Sequence, residues 1–94
     1  MIERYLREGM EADYYRASRQ LKQKASHMKG YISGEMLVDP ENQQKCLILA
    51  TWDNLESWQN WAKTDVRIFA RDSIRVMLTE DEKISVYQAA SIVN

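Results

Sequence analysis

The hydrophobic pattern alternates between two periods along the chain, and this alternation restricts the fold more than any other feature. Partial alternation over Ile2–Arg7 predicts a strand, and apolar residues spaced three and four apart over Glu11–Met28 predict a helix. Two further strands are predicted at Tyr31–Val38 and Lys45–Trp52, joined by a polar turn at Asp39–Asn42. The first half of the chain therefore forms a β-α-β-β unit.

The second half of the chain returns to the helical period and then to a strand. Asp53 or Asn54 is predicted to cap the second helical region. Thr64 resembles a new N-cap inside this region, so a break is expected there. Ile84–Tyr87 is predicted to be the last strand.

The resulting order, β-α-β-β-α-β within 94 residues, predicts an α+β, ferredoxin-like domain that spans residues 1–94. In this fold the helices cover one face of an antiparallel sheet. The third predicted strand, however, is apolar on both of its sides and therefore needs cover on both. We expect a homodimer, paired through the sheet face away from the helices. The apolar residues of this strand are Leu47, Ile48, Leu49, Ala50 and Trp52.

The charge and cysteine content narrow the classes of partner and cofactor. Thirteen Lys and Arg residues against 14 Asp and Glu residues give a net charge of −1, so neither nucleic acid nor an anionic membrane is an expected partner. Cys46 is the single cysteine, and no Cys/His cluster has the spacing of metal ligands, so we expect no metal and no cofactor. The polar N-terminus and the lack of a long apolar run predict a cytoplasmic protein.

Three sequence segments resemble the antibiotic biosynthesis monooxygenase (ABM) superfamily. They are Gly9–Glu11 before the first helix, Lys29–Glu35 after it, and Ala50–Trp61, which carries three tryptophans. The resemblance implies a dimeric α+β barrel. It also implies one of several activities, since similar proteins include cofactor-free oxygenases of aromatic polyketides, heme-degrading oxygenases and proteins without a known activity.

The resemblance argues against heme degradation. Trp61 matches the tryptophan of the heme-degrading members, but Arg71 stands where they carry the axial histidine. Their first-strand asparagine corresponds to Ile2 or Glu3. Because an arginine guanidinium stays protonated, Arg71 cannot ligate iron. We therefore expect that hemin is not degraded.

The three tryptophans have two interpretations. Trp52, Trp58 and Trp61 could form an aromatic wall that stacks a planar substrate in a cleft between the helices and the sheet. Alternatively, they simply fill the core of a small domain. Trp61 is the strongest candidate for the wall, because it precedes the expected helix break.

Three polar residues complete the predicted substrate-binding set. Tyr31 and Asn60 could contact a hydroxyl or carbonyl of the substrate. Arg71 is either a solvated cation or a group directed at an anionic oxygen. No nucleophile, base and orienting group are spaced as a catalytic set, so the catalytic residues stay unassigned.

Two functions follow, and the sequence does not decide between them. The first is a cofactor-independent monooxygenase acting on a small quinol or polyketide-like aromatic compound, which itself supplies electrons to O₂ while the pocket excludes water. The second is a non-catalytic dimeric domain that binds a small ligand, because the same aromatic pocket serves both.

Overall fold

The computed structural model describes residues 1–89, and within these the chain forms four strands and three helices. Their order is β1 (Ile2–Tyr5), α1 (Glu11–Ala25), β2 (Tyr31–Asp39), β3 (Asn42–Trp52), α2 (Leu55–Ala62), α3 (Asp65–Arg75) and β4 (Lys83–Ile84). The strands form one antiparallel sheet in the order β2-β3-β1-β4. The predicted β-α-β-β-α-β ferredoxin-like arrangement is confirmed, with the second helical region divided into α2 and α3.

The register of β1 and β3 separates the two faces of the sheet. Ile2 lies opposite Ile48, and Arg4 lies opposite Cys46. Ile2, Arg4 and Cys46 are all buried beneath the helices. On the other face, Leu37 of β2 lies opposite Leu47 of β3, and Leu37 is exposed.

The close-packed core occupies one end of the space between helices and sheet. Side chains of α1, β3 and α3 meet at this end, and Leu6, directly after β1, continues the sheet by a bridge to Leu78. Burial of these side chains from water is the main stabilising contribution. The buried cluster consists of Leu6, Tyr14, Cys46, Ile74 and Leu78.

Helix α1 ends at Ala25, three residues before the predicted end. The backbone N–H of His27 donates to Lys24 O at 3.3 Å, and that of Met28 donates to Ala25 O at 2.9 Å. These bonds span three residues, so the chain tightens into turns after α1 instead of extending the helix. Residues 26–29 thus form the turns that lead to β2.

Gly30 connects these turns to β2 at a point where no side chain fits. Its φ is +90°, and a Cβ atom would collide with Ser57 Oγ and Asp53 Oδ1. The backbone N–H of Asp53 donates to Gly30 O at 2.8 Å. This close approach fixes the start of β2 against the start of α2.

The other element bounds also differ from the predictions. β3 begins at Asn42 rather than Lys45, because a two-residue turn closes the hairpin directly and Asp39 pairs with Asn42. β1 ends at Tyr5 rather than Arg7. β4 comprises Lys83–Ile84 instead of the predicted Ile84–Tyr87, since only these residues pair with β1.

The N-caps of α2 and α3 are defined by side-chain hydrogen bonds. Asn54, rather than Asp53, caps α2, since its Oδ1 accepts from the backbone N–H of Ser57 at 2.9 Å. Thr64 caps α3, since its Oγ1 accepts from the backbone N–H of Arg67 at 3.1 Å. The predicted break at Thr64 is confirmed.

Candidate functional site

A cavity of about 180 Å³ lies between the three helices and the inner face of the sheet. Its floor is formed by apolar residues of β1, β2 and β3, and its sides are formed by α1, α2 and α3. An engineered cavity of about 150 Å³ lined by apolar side chains holds a benzene molecule, so this space accommodates an aromatic ring. The residues that matter for its chemistry are Arg4, Ser18, Tyr31, Trp52, Trp58, Trp61 and Arg67.

Three aromatic side chains form one continuous wall of the cavity. Trp52 stacks on Trp61 with ring centroids 6.3 Å apart and 27° between the ring planes. Tyr31 meets Trp52 edge to face at a centroid distance of 5.3 Å. Trp61 is 5% exposed, and Trp58 lines the same cavity while partly exposed. Such rings offer both stacked and edge contacts to a planar ligand.

A β-bulge positions Tyr31 beside Trp52. The register of β2 and β3 shifts between Tyr31 and Ser33, so Tyr31 pairs with Trp52 and both side chains reach the inner face. Gly34 leaves room for the phenol, because a Cβ atom there would lie 2.5 Å from Tyr31 Oη. Burial raises the pKa of the Tyr31 hydroxyl, so it stays protonated at neutral pH and can donate a hydrogen bond.

Two arginines that line the cavity, Arg4 and Arg67, belong to a buried ion-pair network with Glu82. Nε and Nη2 of Arg4 donate to Oε1 of Glu82 at 3.1 and 3.0 Å. Nη2 of Arg67 donates to Oε2 of the same carboxylate at 2.8 Å. Arg4 Nη1 also donates to Tyr14 Oη at 3.1 Å. Arg4 and Arg67 are 1% and 3% exposed, so this network is shielded from solvent.

Glu82 is held in its ionised form by the two arginines. Burial alone would raise the pKa of its carboxyl group, but the charges of Arg4 and Arg67 and their hydrogen bonds outweigh burial and lower it. At neutral pH the network therefore contains two positive charges and one negative charge.

The predicted site residues divide into two groups. Tyr31, Trp58 and Trp61 line the cavity together with Trp52. Asn60 and Arg71 do not: Asn60 is exposed on α2, and Arg71 is exposed on α3, where its Nε lies 3.8 Å from Asp72 Oδ1.

The sequence interpretation misses the charged end of the site. Arg67 precedes Arg71 by about one helical turn, is buried and lines the cavity, whereas the sequence interpretation considers only Arg71 as a group directed at an anionic oxygen. Glu82 lies 78 residues from Arg4 and 15 from Arg67, in a loop whose charge density is typical of a solvated segment. One signal is present: Arg4 alternates with the apolar residues Ile2 and Leu6, and a cation between two buried positions requires a buried partner.

Two further classes of site are not found in the described part of the chain. Among residues 1–89, no three His, Cys, Asp or Glu side chains come together as metal ligands. None of the helices in that range is both long and apolar enough to cross a membrane.

The chain belongs to the antibiotic biosynthesis monooxygenase family, whose model matches residues 1–67. This match covers β1 through the start of α3, including the whole aromatic wall and Arg67. No curated protein matches the sequence.

Solved structures of other proteins share the fold over nearly the whole chain. A Nitrosomonas europaea protein classed with the antibiotic biosynthesis monooxygenases superimposes with a TM-score of 0.87 at 11% identity, covering 99% of this chain and 89% of that one. A Deinococcus radiodurans protein of the same class gives 0.87 at 20% identity, covering 99% and 92%. A conserved Methanosarcina mazei protein gives 0.89 at 13% identity, covering 95% and 88%. These likenesses establish the fold.

Proposed function

We propose that the protein is a cofactor-independent monooxygenase acting on a small quinol or polyketide-like aromatic compound. The observation that carries this proposal is the cavity wall formed by Tyr31, Trp52 and Trp61. Its stacked and edge-on rings suit a planar ring, and its hydroxyl and indole N–H groups suit the oxygen atoms of that ring. Membership in the ABM family supports the same reaction class.

The reaction requires no electron donor beyond the substrate. A ring C–H carbon of a phenol or hydroquinone takes one atom of O₂ and becomes a carbonyl. The other atom leaves as water with the C–H hydrogen and one phenolic hydrogen, so all four electrons come from the substrate. The role of the protein is to orient the ring, exclude water and stabilise the phenolate that reacts with O₂.

The size of the cavity supports a small substrate. About 180 Å³ is below the roughly 300–1,000 Å³ of sites for drug-sized ligands. One ring with its substituents is the best match for this volume.

A non-catalytic ligand-binding domain is the second candidate function. In the described part of the chain, the cavity wall has no histidine, and its single carboxylate, Glu35, belongs to an exposed residue. A general base inside the cavity is therefore not evident, which favours binding without turnover.

Oxygen uptake distinguishes the two functions. Hydroquinone and methylhydroquinone are incubated with the protein in an oxygen-electrode cell, with catalase and superoxide dismutase present to limit spontaneous autoxidation. An oxygenase consumes O₂ in proportion to protein concentration, and Trp61→Ala reduces the rate while Phe69→Ala on the exposed side of α3 does not. Binding of either compound by titration calorimetry without protein-dependent uptake would instead support the second candidate.

We also propose a homodimer in which a second copy covers the outer sheet face. Leu37, Leu47 and Leu49 lie together on this face, and both Leu37 and Leu49 are exposed in the single chain. Contiguous exposed leucines on a sheet face are typical of an interface. A two-fold pairing of this face with itself would bury them.

A further inference from the structure

We propose that the natural ligand of the cavity carries an anionic oxygen, such as a carboxylate or phenolate on an aromatic ring, and that Arg67 anchors it. The inference rests on the proposed function, because it concerns the ligand of the same cavity. It follows from three features of the cavity wall: an excess buried positive charge, a set of buried donors without protein partners, and the placement of the arginines relative to the aromatic wall.

The ion-pair network carries a net charge of +1, because two arginines share one carboxylate. Both carboxylate oxygens of Glu82 are used, Oε1 by Arg4 and Oε2 by Arg67. Within residues 1–89, no other carboxylate forms an ion pair with either arginine. Because an unpaired charge away from water is strongly unfavourable, the network is electrostatically incomplete and favours an additional anion.

The donors without partners are concentrated on the same wall. Among the described residues, four buried side-chain atoms form no hydrogen bond within the protein: Ser18 Oγ, Tyr31 Oη, Trp52 Nε1 and Arg67 Nη1. All four belong to residues that line this one cavity. The arginine and indole nitrogens are donors only, and the two hydroxyls can donate, so the complementary ligand is rich in acceptor oxygens.

The arginines and the aromatic wall lie at different ends of the cavity. Arg4 is opposite Cys46 in the sheet, whereas Trp52 lies at the far end of β3. Ile48 and Ala50 line the floor between these two positions. A ring against Trp52 and Trp61 would thus carry its anionic substituent along an apolar floor toward Arg67.

Arg67 is better placed than Arg4 to receive the anion. All three nitrogens of the Arg4 guanidinium already donate, two of them to Glu82 and one to Tyr14. Arg67 donates to Glu82 through Nη2 alone and leaves Nη1 for the ligand. Glu82 then acts as a positioning residue that holds the Arg67 side chain at the cavity.

A matched pair of ligands tests the inference by titration calorimetry without oxygen. The probes are 2,5-dihydroxybenzoate and its neutral amide, 2,5-dihydroxybenzamide, which differ little in shape. The wild-type protein should bind the carboxylate at least about tenfold more tightly, as one charge-assisted hydrogen bond implies. Arg67→Gln should remove this preference and leave the affinity for the amide unchanged. Arg75→Gln, an exposed position on the same helix, should keep it.

Circular dichroism shows whether Arg67→Gln folds. If it does not, Arg67→Lys replaces it in the test, because this variant keeps a cation beside Glu82. Its single ammonium stays paired with Glu82, so the carboxylate preference should fall. The inference would be overturned if the wild-type protein bound the carboxylate and the amide equally well, or if it bound neither. It would also be overturned if both Arg67 variants kept the preference for the carboxylate. Carboxylate-selective binding without O₂ uptake would uphold it while rejecting the monooxygenase.

Discussion

At the scale of single residues, Glu82 connects the stability of the protein to its candidate site. Among the described residues, its carboxylate is the only partner that Arg67 has in an ion pair, and it also fixes Arg4. Glu82 thus supplies the counter-charge for two arginines beneath the helices, and in the proposed ligand site it also positions Arg67. Sequence alone could not bring these three residues together, because the pairing depends on contacts across 78 and 15 positions.

The lowered pKa of Glu82 predicts how stability depends on pH. A carboxyl group whose pKa is lower in the folded state stabilises the fold above its ordinary titration range, and this contribution is lost as the pH falls through the folded-state value. The free energy of unfolding should therefore decline below about pH 4.3. Glu82→Gln should reduce it by roughly 3–5 kcal/mol at pH 7, because two buried arginines lose their counter-charge.

Denaturant unfolding at several pH values measures both effects. Glu80→Gln in the neighbouring loop is the matched control, since Glu80 pairs only with exposed Lys83 among the described residues. If Glu82→Gln is as stable as Glu80→Gln and retains the wild-type pH profile, the network does not stabilise the fold.

The sequence position of Trp61 allows it to be either a core residue or part of a cavity wall. In the structure it is both buried and part of the cavity wall. It is 5% exposed yet borders the cavity and stacks on Trp52. Trp61→Ala should lower the free energy of unfolding by less than the roughly 3–5 kcal/mol expected for a fully packed aromatic residue, because the ring already lacks packing partners on one side. Hydroquinone binding should be lost.

The comparison variant is Phe69→Ala, since Phe69 is 75% exposed and should contribute to neither property. Denaturant midpoints and calorimetric titrations are measured on both proteins. A full core penalty in Trp61→Ala together with unchanged ligand binding would assign Trp61 to the core alone.

At the scale of secondary structure, the hydrophobic periods and cap residues predict most of the fold. The break between α2 and α3 is predictable because Thr64 is a favourable N-cap, and the cap bond to Arg67 N is present. The end of α1 cannot be predicted in the same way, because the backbone hydrogen bonds that tighten residues 26–28 are local and leave the hydrophobic pattern unchanged. The β2–β3 bulge that aims Tyr31 at the cavity also leaves no clear signal in the sequence.

The Thr64 cap links helix stability to the site, because the N–H group it accepts from belongs to Arg67. Thr64→Ala should lower the free energy of unfolding by about 1 kcal/mol, and Thr64→Ser should restore most of that loss. Asn54→Ala removes the equivalent cap of α2 and should cost a similar amount. Thermal or denaturant unfolding gives the free energy of unfolding of all three variants. A loss of stability in Asn54→Ala without a loss in Thr64→Ala would show that α3 does not depend on its cap.

At the scale of the whole molecule, the sheet has one face covered by helices and one face that exposes leucines. The doubly apolar pattern of the third strand predicts two apolar faces, and the register confirms that Leu47 and Leu49 face away from Cys46 and Ile48. The cavity itself is not predictable from the sequence, since its volume and its buried arginines depend on how three helices pack on the sheet.

The proposed dimer is tested by light scattering at micromolar concentration. The wild-type chain of 11.1 kDa should behave as a species of twice that mass. Leu49→Lys should shift the population toward the monomer, because it places a charge in the proposed interface. Val76→Lys at the exposed C-cap of α3 should leave the mass unchanged. A wild-type monomer at these concentrations would contradict the dimer.

In the proposed reaction, the cavity promotes insertion of an oxygen atom from O₂ into an aromatic ring, and isotope labelling detects this insertion. Methylhydroquinone is incubated with the protein under ¹⁸O₂. The quinone product is reduced and acetylated at once, so that its carbonyl oxygens do not exchange with water. Its mass is then measured by mass spectrometry. We expect one labelled oxygen in each product molecule, formed only with protein and in much smaller amount with Trp61→Ala. Product without the label, or label incorporated equally without protein, would contradict it.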